Sequence, residues 1–379
     1  MTAPVYLDFN ATARVRPEAA QAVADAMGIG GNPSSVHAAG RAARAAVESA
    51  RESVAALAGV RPADVVFTSG GSEANTLAMA SAVRRGGAAR LIVGATEHAS
   101  VLEAAEASGL PVEFWPVTSD GVADLDWLAA RLKAWTPADG RPFVALMAAN
   151  NETGVIQPVA EAAALVHEAE GWLHVDAVQA AGRIPIDFAA DTIAVSAHKL
   201  GGPQGSGALI VGCDIEIART AFGGGQERGR RGGTENVPGI AGFGAAAGVA
   251  ALESGPDQAA WRDAAAARLK LEAGVTVLGE GAPRLSNTLC FAPPGWSAEM
   301  QIMALDLAGV MVSSGSACSS GKVKASHVIA AMGLESLAGS VLRVSGGWST
   351  TRADWDLFAD VWLDAWARRS ARVRPLVEA

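Results

Sequence analysis

The sequence predicts an α/β fold, a large domain with a mostly parallel sheet covered by helices, plus a smaller α+β domain. Three observations carry this reading. Between residues 64 and 211, short apolar runs alternate with helical segments, the order that builds parallel strands joined by crossover helices. Phe143-Val-Ala-Leu-Met-Ala-Ala149 is apolar without a break, as a strand covered on both faces must be. Beyond about residue 256 short strands and helices mix, and the chain closes on a helix with Trp355, Phe358, Trp362 and Trp366 spaced by three or four. The expected division is an N-terminal arm (1–16) packing with the small domain, a large domain (17–255) and a small C-terminal domain (256–379).

Composition narrows the function. The chain has 379 residues, half of them hydrophobic and 18% charged, which describes an ordinary buried globular protein rather than a disordered one. A net charge of -9 argues against a general nucleic-acid binder, which needs a basic surface. No basic-flanked apolar leader opens the chain and no apolar run is long enough to span a bilayer, so the expected location is the cytoplasm, with no membrane partner. Cys213, Cys290 and Cys318 are widely spaced and show no metal-ligand spacing, so neither a metal site nor a disulfide framework is expected.

Taken in order, residues 4–16 read as a short extended piece and a polar turn before Pro17 opens a helix that stops at Gly28. In the following loop Ser34 or Ser35 is the expected cap of a helix that ends at Gly59, with His37 in its first turn. Asp64-Val-Val-Phe-Thr68 is a buried strand that runs through Ser69-Gly-Gly-Ser-Glu-Ala-Asn75 into a helix to about residue 85. Further strands are expected at 90–95, 112–117, 143–149, 172–179, 192–196 and 207–211, with helices at 97–108, 124–134 and 158–170. In the C-terminal part, helices are expected at about 256–274, 298–307 and 354–372, and strands at 275–278, 285–291 and 341–345. The tryptophan stripe of the last helix reads as core.

A strand, a Ser/Gly turn and a helix in that order make an anion site, because the first amides of the helix are unpaired and its dipole favours negative charge. Gly70, Gly71 and Ser72 would hold a phosphate, and the lack of a nucleotide-loop lysine disfavours a nucleoside triphosphate. In open α/β sheets ligands bind outside the carboxyl ends of the strands, which should bring Ser72, His98, Asn151, Asp176, Gln179, Ser196 and Lys199 to one crevice. Lys199 lies in Val195-Ser-Ala-His-Lys-Leu-Gly-Gly-Pro-Gln-Gly205, where an ammonium could pair with phosphate or, deprotonated, condense with a carbonyl. Alone it reads more readily as a solvated loop lysine; the convergence of the other strand ends gives it a role.

Two later stretches add chemistry. The loop Phe222-Gly-Gly-Gly-Gln-Glu-Arg-Gly-Arg-Arg-Gly-Gly-Thr-Glu-Asn236 could complete a phosphate site through its arginines or Thr234, or could be a solvated loop. Cys318 sits in Val312-Ser-Ser-Gly-Ser-Ala-Cys-Ser-Ser-Gly-Lys-Val-Lys324, which has no apolar side to bury it. It is expected on a mobile loop, exposed and reactive, with Lys322 and Lys324 favouring thiolate. Cys290 and Cys213 read as packing cysteines.

Together, Tyr6-Leu-Asp8, Gly31-Asn-Pro-Ser-Ser-Val-His37, Phe67-Thr-Ser-Gly-Gly-Ser-Glu73, Thr96-Glu-His98, Asn150-Asn-Glu-Thr-Gly154, His174-Val-Asp-Ala-Val-Gln179, Ser196-Ala-His-Lys199, Arg231-Gly-Gly-Thr234 and Ser313-Ser-Gly-Ser-Ala-Cys318 resemble the cysteine desulfurases. These are class V aminotransferases, fold type I pyridoxal-phosphate enzymes, and the resemblance runs in order from Tyr6 to about Thr351. It implies conversion of L-cysteine to L-alanine, the sulfur being left on Cys318 as a persulfide for iron–sulfur cluster or other sulfur-containing cofactor biosynthesis. It implies that Lys199 holds pyridoxal 5'-phosphate covalently, that Asp176 pairs with the ring nitrogen and keeps it an electron sink, and that His98 stacks on the ring and moves a proton. By the same resemblance Asn151 and Gln179 bond ring substituents. Gly71, Ser72, Ser196 and His198 hold the phosphate, with Thr234 reaching it from the other subunit of a homodimer. Arg343 takes the substrate carboxylate in a bidentate pair beside Asn151. Lys199 would remove the substrate's α-proton and Cys318 would attack its sulfur.

The chain departs from the family pattern in three places. Ala11-Thr-Ala-Arg14 replaces the common Ala-Thr-Thr-Pro, the segment after Cys318 is more basic than usual, and the chain stops at Ala379 without the tail that housekeeping members use to grip the iron–sulfur scaffold. The expected sulfur acceptor is therefore such a scaffold protein or a more specialised one. The competing readings are a selenocysteine lyase or another lyase or hydrolase of the same superfamily, which need not use Cys318, and a non-catalytic sulfur-relay subunit.

Overall fold

The computed structural model describes residues 4–212, 214–252, 258–315 and 326–373. In chain order its elements are β1 (Val5–Tyr6), α1 (Pro17–Met27), α2 (Ala38–Leu57), β2 (Val65–Thr68), α3 (Gly71–Arg84), β3 (Leu91–Gly94), α4 (Ala99–Ala107) and β4 (Val112–Trp115). There follow α5 (Leu125–Lys133), β5 (Phe143–Met147), α6 (Val159–Glu168), β6 (Trp172–Asp176), β7 (Thr192–Ser196), β8 (Gly207–Val211) and α7 (Val237–Leu252). The rest are α8 (Ala259–Ala273), β9 (Thr276–Val277), β10 (Thr288–Ala292), α9 (Ala298–Leu307), β11 (Val310–Met311), α10 (His327–Ala331), β12 (Leu342–Ser345) and α11 (Arg352–Val373).

Seven strands form one sheet in the order β2-β8-β7-β6-β5-β3-β4. Only β8 runs against its neighbours; the other pairs are parallel. Successive strand residues face opposite cores, as the twofold side-chain period requires. Val144, Leu146, Leu173, Val175, Ile193 and Val195 pack towards α1, α2, α5, α6 and α7. Phe143, Ala145, Trp172 and Ala194 pack towards α3 and α4. Coverage on both faces explains the unbroken apolar strands. Because β2 and β7 both run against β8, they point the same way as β3, β4, β5 and β6, so six strands end on one edge.

The later residues form a second core. β10 pairs antiparallel with β9 and β12, and Trp355, Phe358 and Trp362 of α11 are fully buried against Phe291 and Trp296. Trp366 stacks on Trp362 at 5.7 Å, so the stripe is core. The first residues of the chain stitch the two cores together. β1 pairs with β11, Phe9 N–H donates to Ser345 O (3.0 Å), Ala13 N–H to His198 O (2.7 Å) and Arg16 N–H to Gly201 O (2.8 Å).

Beside the unexpected short elements β11 and α10, two larger features differ from expectation. The cap of α2 is His37, whose Nδ1 accepts from Gly40 N–H at 3.3 Å, and not Ser34 or Ser35. The chain between the residue 222–236 loop and α8 contains the helix α7, wedged against α1 and α2. Its four glycines hide it from propensity reasoning, since glycine costs about 1 kcal/mol in a helix. Three of them, Gly239, Gly242 and Gly244, are there for contact: a Cβ on Gly244 would lie 2.4 Å from Ala50 Cα.

Candidate active site

The strand ends on the shared edge carry the polar groups. Asp176 closes β6, flanked in register by Met147 and Ala194, and is 6% exposed. Its Oδ1 accepts from Val178 N–H (2.9 Å) and its Oδ2 from Asn75 Nδ2 (2.8 Å). Asn75, in α3, also donates to Ser100 Oγ (2.9 Å) and faces His174 Nε2 with its Oδ1 (3.0 Å). The donor and acceptor roles are therefore determined. With Nδ2 committed to Asp176, His174 must donate from Nε2, leaving Nδ1 to accept from Thr192 Oγ1 (3.0 Å). Burial lowers the His174 pKa to about 4 and keeps the ring neutral.

The same network reaches His98. This residue caps α4: Nδ1 accepts from Ser100 N–H (3.1 Å) and lies 2.8 Å from Ser100 Oγ. With Nδ1 occupied as an acceptor, the neutral ring carries its proton on Nε2. Asp176, Asn75, Ser100 and His98 thus form one hydrogen-bonded chain. The ring stands exposed at the mouth of the crevice, yet the surrounding protein displaces enough water to lower its pKa; Asp176 opposes this, and Lys199 and His327 add to it. Beneath it Glu97 is 1% exposed, and burial followed by the charge of Asp176 raises its pKa well above the usual range. Oε1 of Glu97 accepts from Met147 N–H, and Oε2 has no partner among the described residues.

Lys199 follows β7 through one tight turn, and its Nζ donates to Asn10 O (2.6 Å) and Ala11 O (2.8 Å). Burial, then Arg343 and Arg183, lower its pKa to about 7 against the pull of Asp176 and Asp8. Gln179 Nε2 donates to Asn10 O (3.0 Å), and its Oε1 accepts from Arg183. His198 Nδ1 pairs with Thr12 Oγ1 (3.1 Å); burial and Lys199 lower its pKa to about 4. Arg343, 4% exposed on β12, donates from Nη2 to Asp8 Oδ1 (2.7 Å) and from Nη1 to Asn151 O (3.1 Å), while its Nε has no partner among the described residues.

The start of α3 has the features of an anion cup. Gly70 caps it without a side-chain bond, and Glu73 in its first turn is already held by Arg231 (2.9 Å) and Ser69 N–H (2.7 Å). A Cβ on Gly71 would lie 2.6 Å from Val178 Cγ2 and 3.7 Å from Ser196 Cβ, so the helix start and the end of β7 approach closely. Ser72 is exposed beside them. A cofactor with one phosphate, an aldehyde and a basic ring nitrogen fits these groups: open helix amides, an amine of depressed pKa and a buried carboxylate.

Of the residues singled out by sequence, Asp176, His98, Lys199, Gln179, Ser196 and Gly71 come together at this edge. Asn151 joins them through its backbone carbonyl, which takes Arg343 and Asn10 Nδ2 (3.2 Å). Thr234 is exposed, and none of the described hydrogen bonds connects it to the others. Cys318 and Cys213 lie outside the described residues. Cys290 is fully buried, which pushes its thiol pKa up and leaves it unreactive. Sequence reasoning passed over Asn75, Ser100, His174, Asp8 and Asn10. The one usable signal was helical spacing, which puts Asn75 one turn beyond Gly71 and Ser72.

Comparison with known proteins shows the family. Residues 5–358 match the family described as aminotransferase class-V. The chain is 41% identical over 375 residues to a cysteine desulfurase of Cereibacter sphaeroides, covering 94% of each chain. The solved structure of a NifS-like protein from Rickettsia africae superposes with a TM-score of 0.88 at 31% identity, covering 96% of this chain and 99% of that one. A structure of SspA in complex with cysteine gives a TM-score of 0.76 at 27% identity, covering 92% and 100%. The chain therefore belongs to the aminotransferase class-V family, with cysteine desulfurases among its relatives.

Proposed function

We propose that this protein is a pyridoxal-phosphate-dependent cysteine desulfurase that converts L-cysteine to L-alanine and keeps the sulfur as a persulfide on Cys318. The observation that carries the site assignment is the meeting of Lys199, its pKa lowered to about 7, with the Asp176–Asn75–Ser100–His98 chain at one sheet edge. Lys199 would hold the cofactor through its aldehyde, Asp176 its ring nitrogen, and Asn151 and Gln179 its ring substituents. Gly71, Ser72, Ser196 and His198 would hold the phosphate, with Thr234 of the partner subunit in a homodimer. When bound, the cofactor supplies an electron sink for charge left on the substrate's α-carbon.

The protein's own groups perform the remaining work. Arg343 offers its planar fork to the substrate carboxylate, which would also give its buried Nε the acceptor it lacks, relieving a penalty of about 1–3 kcal/mol. Lys199, once released, is neutral enough near pH 7 to take the α-proton. His98 presents Nε2 to the crevice for proton movement. The Cys318 thiolate then gives an electron pair to the substrate sulfur. An S–S bond forms as the C–S bond breaks, the carbon keeps that bond's pair and gains a proton, and alanine leaves. Sulfur is oxidised to the persulfide level and carbon is reduced by the same two electrons.

The persulfide would pass to a sulfur-acceptor protein such as an iron–sulfur scaffold, in the cytoplasm; no helix is long and apolar enough to cross a membrane among the described residues. The test is alanine and sulfide formation from L-cysteine, run beside L-selenocysteine. Lys199→Ala is expected to abolish both products; turnover of cysteine at the normal rate by that variant would sink the assignment. A rate on selenocysteine that persists in Cys318→Ala while cysteine turnover is absent would favour the lyase reading.

A further inference from the structure

Gly315 and Ser326 flank the stretch of sequence that carries Cys318, and both meet the same carboxyl group. Glu152 is 3% exposed in the turn after β5, next to Asn151. Its Oε2 accepts from Ser326 Oγ at 2.6 Å, and the same hydroxyl caps α10 by accepting from Ile329 N–H at 3.2 Å. On the other side Gly315 packs so tightly on Glu152 that an added Cβ would lie 2.4 Å from Oε2 and 3.1 Å from Cδ. Around this contact, Ser313 and Arg343 exchange backbone hydrogen bonds (3.2 and 2.7 Å), and His327 Nε2 donates to Glu97 O at 2.9 Å, beside His98. Each end of the segment is thus tied to the turn or loop that carries a residue of the site.

We propose that Glu152 is a positioning residue for sulfur transfer: one buried carboxyl group that fixes both ends of the Cys318 segment to the turn carrying Asn151. This rests on the role given to Cys318 above. Covalent connection makes the anchor matter, because only two residues separate Gly315 from Cys318 in the sequence. A side chain that contacts neither cofactor nor substrate can still govern the approach of the thiol, since small misplacements of reacting groups cost large factors in rate. A carboxyl group suits both contacts. It is flat enough to admit the bare backbone of Gly315 and presents an acceptor to Ser326.

The test uses the holoenzyme and separates binding from transfer. Glu152→Ala and Ser326→Ala are each expected to slow sulfur arrival at Cys318, followed by mass spectrometry, by about tenfold or more. The dissociation constant for L-cysteine, read from the change in cofactor absorbance, should stay within about threefold of the parent, because Arg343 keeps its own partners. Glu152→Gln retains an acceptor for Ser326 and should restore transfer to within about threefold. Ser326→Ala removes only one hydroxyl and decides the matter if Glu152→Ala does not fold. Sulfur transfer at the parent rate in these variants, a loss carried wholly by weaker cysteine binding, or a Glu152→Gln variant as impaired as Glu152→Ala would each overturn the proposal. If Cys318→Ala instead forms alanine at the parent rate, it is the desulfurase reading that fails.

Discussion

Replacing Asn75 by alanine removes the junction between the Asp176 carboxylate and the His98 end of the hydrogen-bonded chain. Three hydrogen bonds go with it: to Asp176 Oδ2 at 2.8 Å, to Ser100 Oγ at 2.9 Å and from His174 Nε2 at 3.0 Å. Asn75 is 2% exposed and His174 fully buried, so water does not readily replace these partners. A bond to a charged carboxylate contributes about 1.5–3 kcal/mol, and a buried N–H left unpaired at His174 costs about 1–3 kcal/mol. The variant should lose about 3–5 kcal/mol of stability, read from urea unfolding. A double-mutant cycle with Thr192→Val, at the far side of His174, should show a coupling of about 0.5 kcal/mol or more, because both residues hold the same imidazole. A loss below about 1 kcal/mol, or additive effects, would mean that this buried network is not energetically connected and would refute the reasoning.

Gly244→Ala should destabilise the fold by about 1–3 kcal/mol in chemical denaturation, against the usual helical preference for alanine, because the methyl group would meet the Ala50 backbone. His174 takes up a proton near pH 6.5 when unfolded but only near 4 in the fold, so its stabilising contribution is complete above 6.5 and declines as pH falls towards 4, by about 3 kcal/mol in all. His198 has the same sign; a His174→Gln variant should therefore show a shallower fall in thermal midpoint across this window than the parent. Glu97 acts in the opposite sense: its raised pKa makes the fold bind a proton that the unfolded chain releases, so stability declines as pH rises through the folded value. Glu97→Gln, neutral throughout, should be more stable than the parent at pH 8, with the difference shrinking towards pH 4.5.

The parts of this molecule that obey a period were legible in its sequence. β7 and α9 lie at the positions their apolar patterns require, and strand ends in a parallel sheet must share an edge, which is why Asp176, His98 and Lys199 could be grouped before any contact was known. What escaped depends on contact. Glycine in α7 lowers helix propensity, and only the approach of Ala50 explains it. Asn75 reads as an indifferent helix residue until α3 is laid across β6, where it meets Asp176. Asp8 and Arg343 are paired across nearly the whole chain, a relation that no local pattern encodes. His37 takes the cap of α2 from two nearby serines because the loop places its ring, rather than their hydroxyls, at the helix start.

The central claim is tested most directly by the fate of the substrate sulfur. L-Cysteine is added to the holoenzyme without any acceptor, and the peptide bearing Cys318 is weighed by mass spectrometry while alanine is counted. The account predicts one added sulfur on Cys318 for each alanine released in the first turnover, with no added sulfur on Cys290 and no alanine beyond background from Cys318→Ala. Alanine formed at the parent rate by Cys318→Ala, with the parent's Cys318 unmodified, would contradict it.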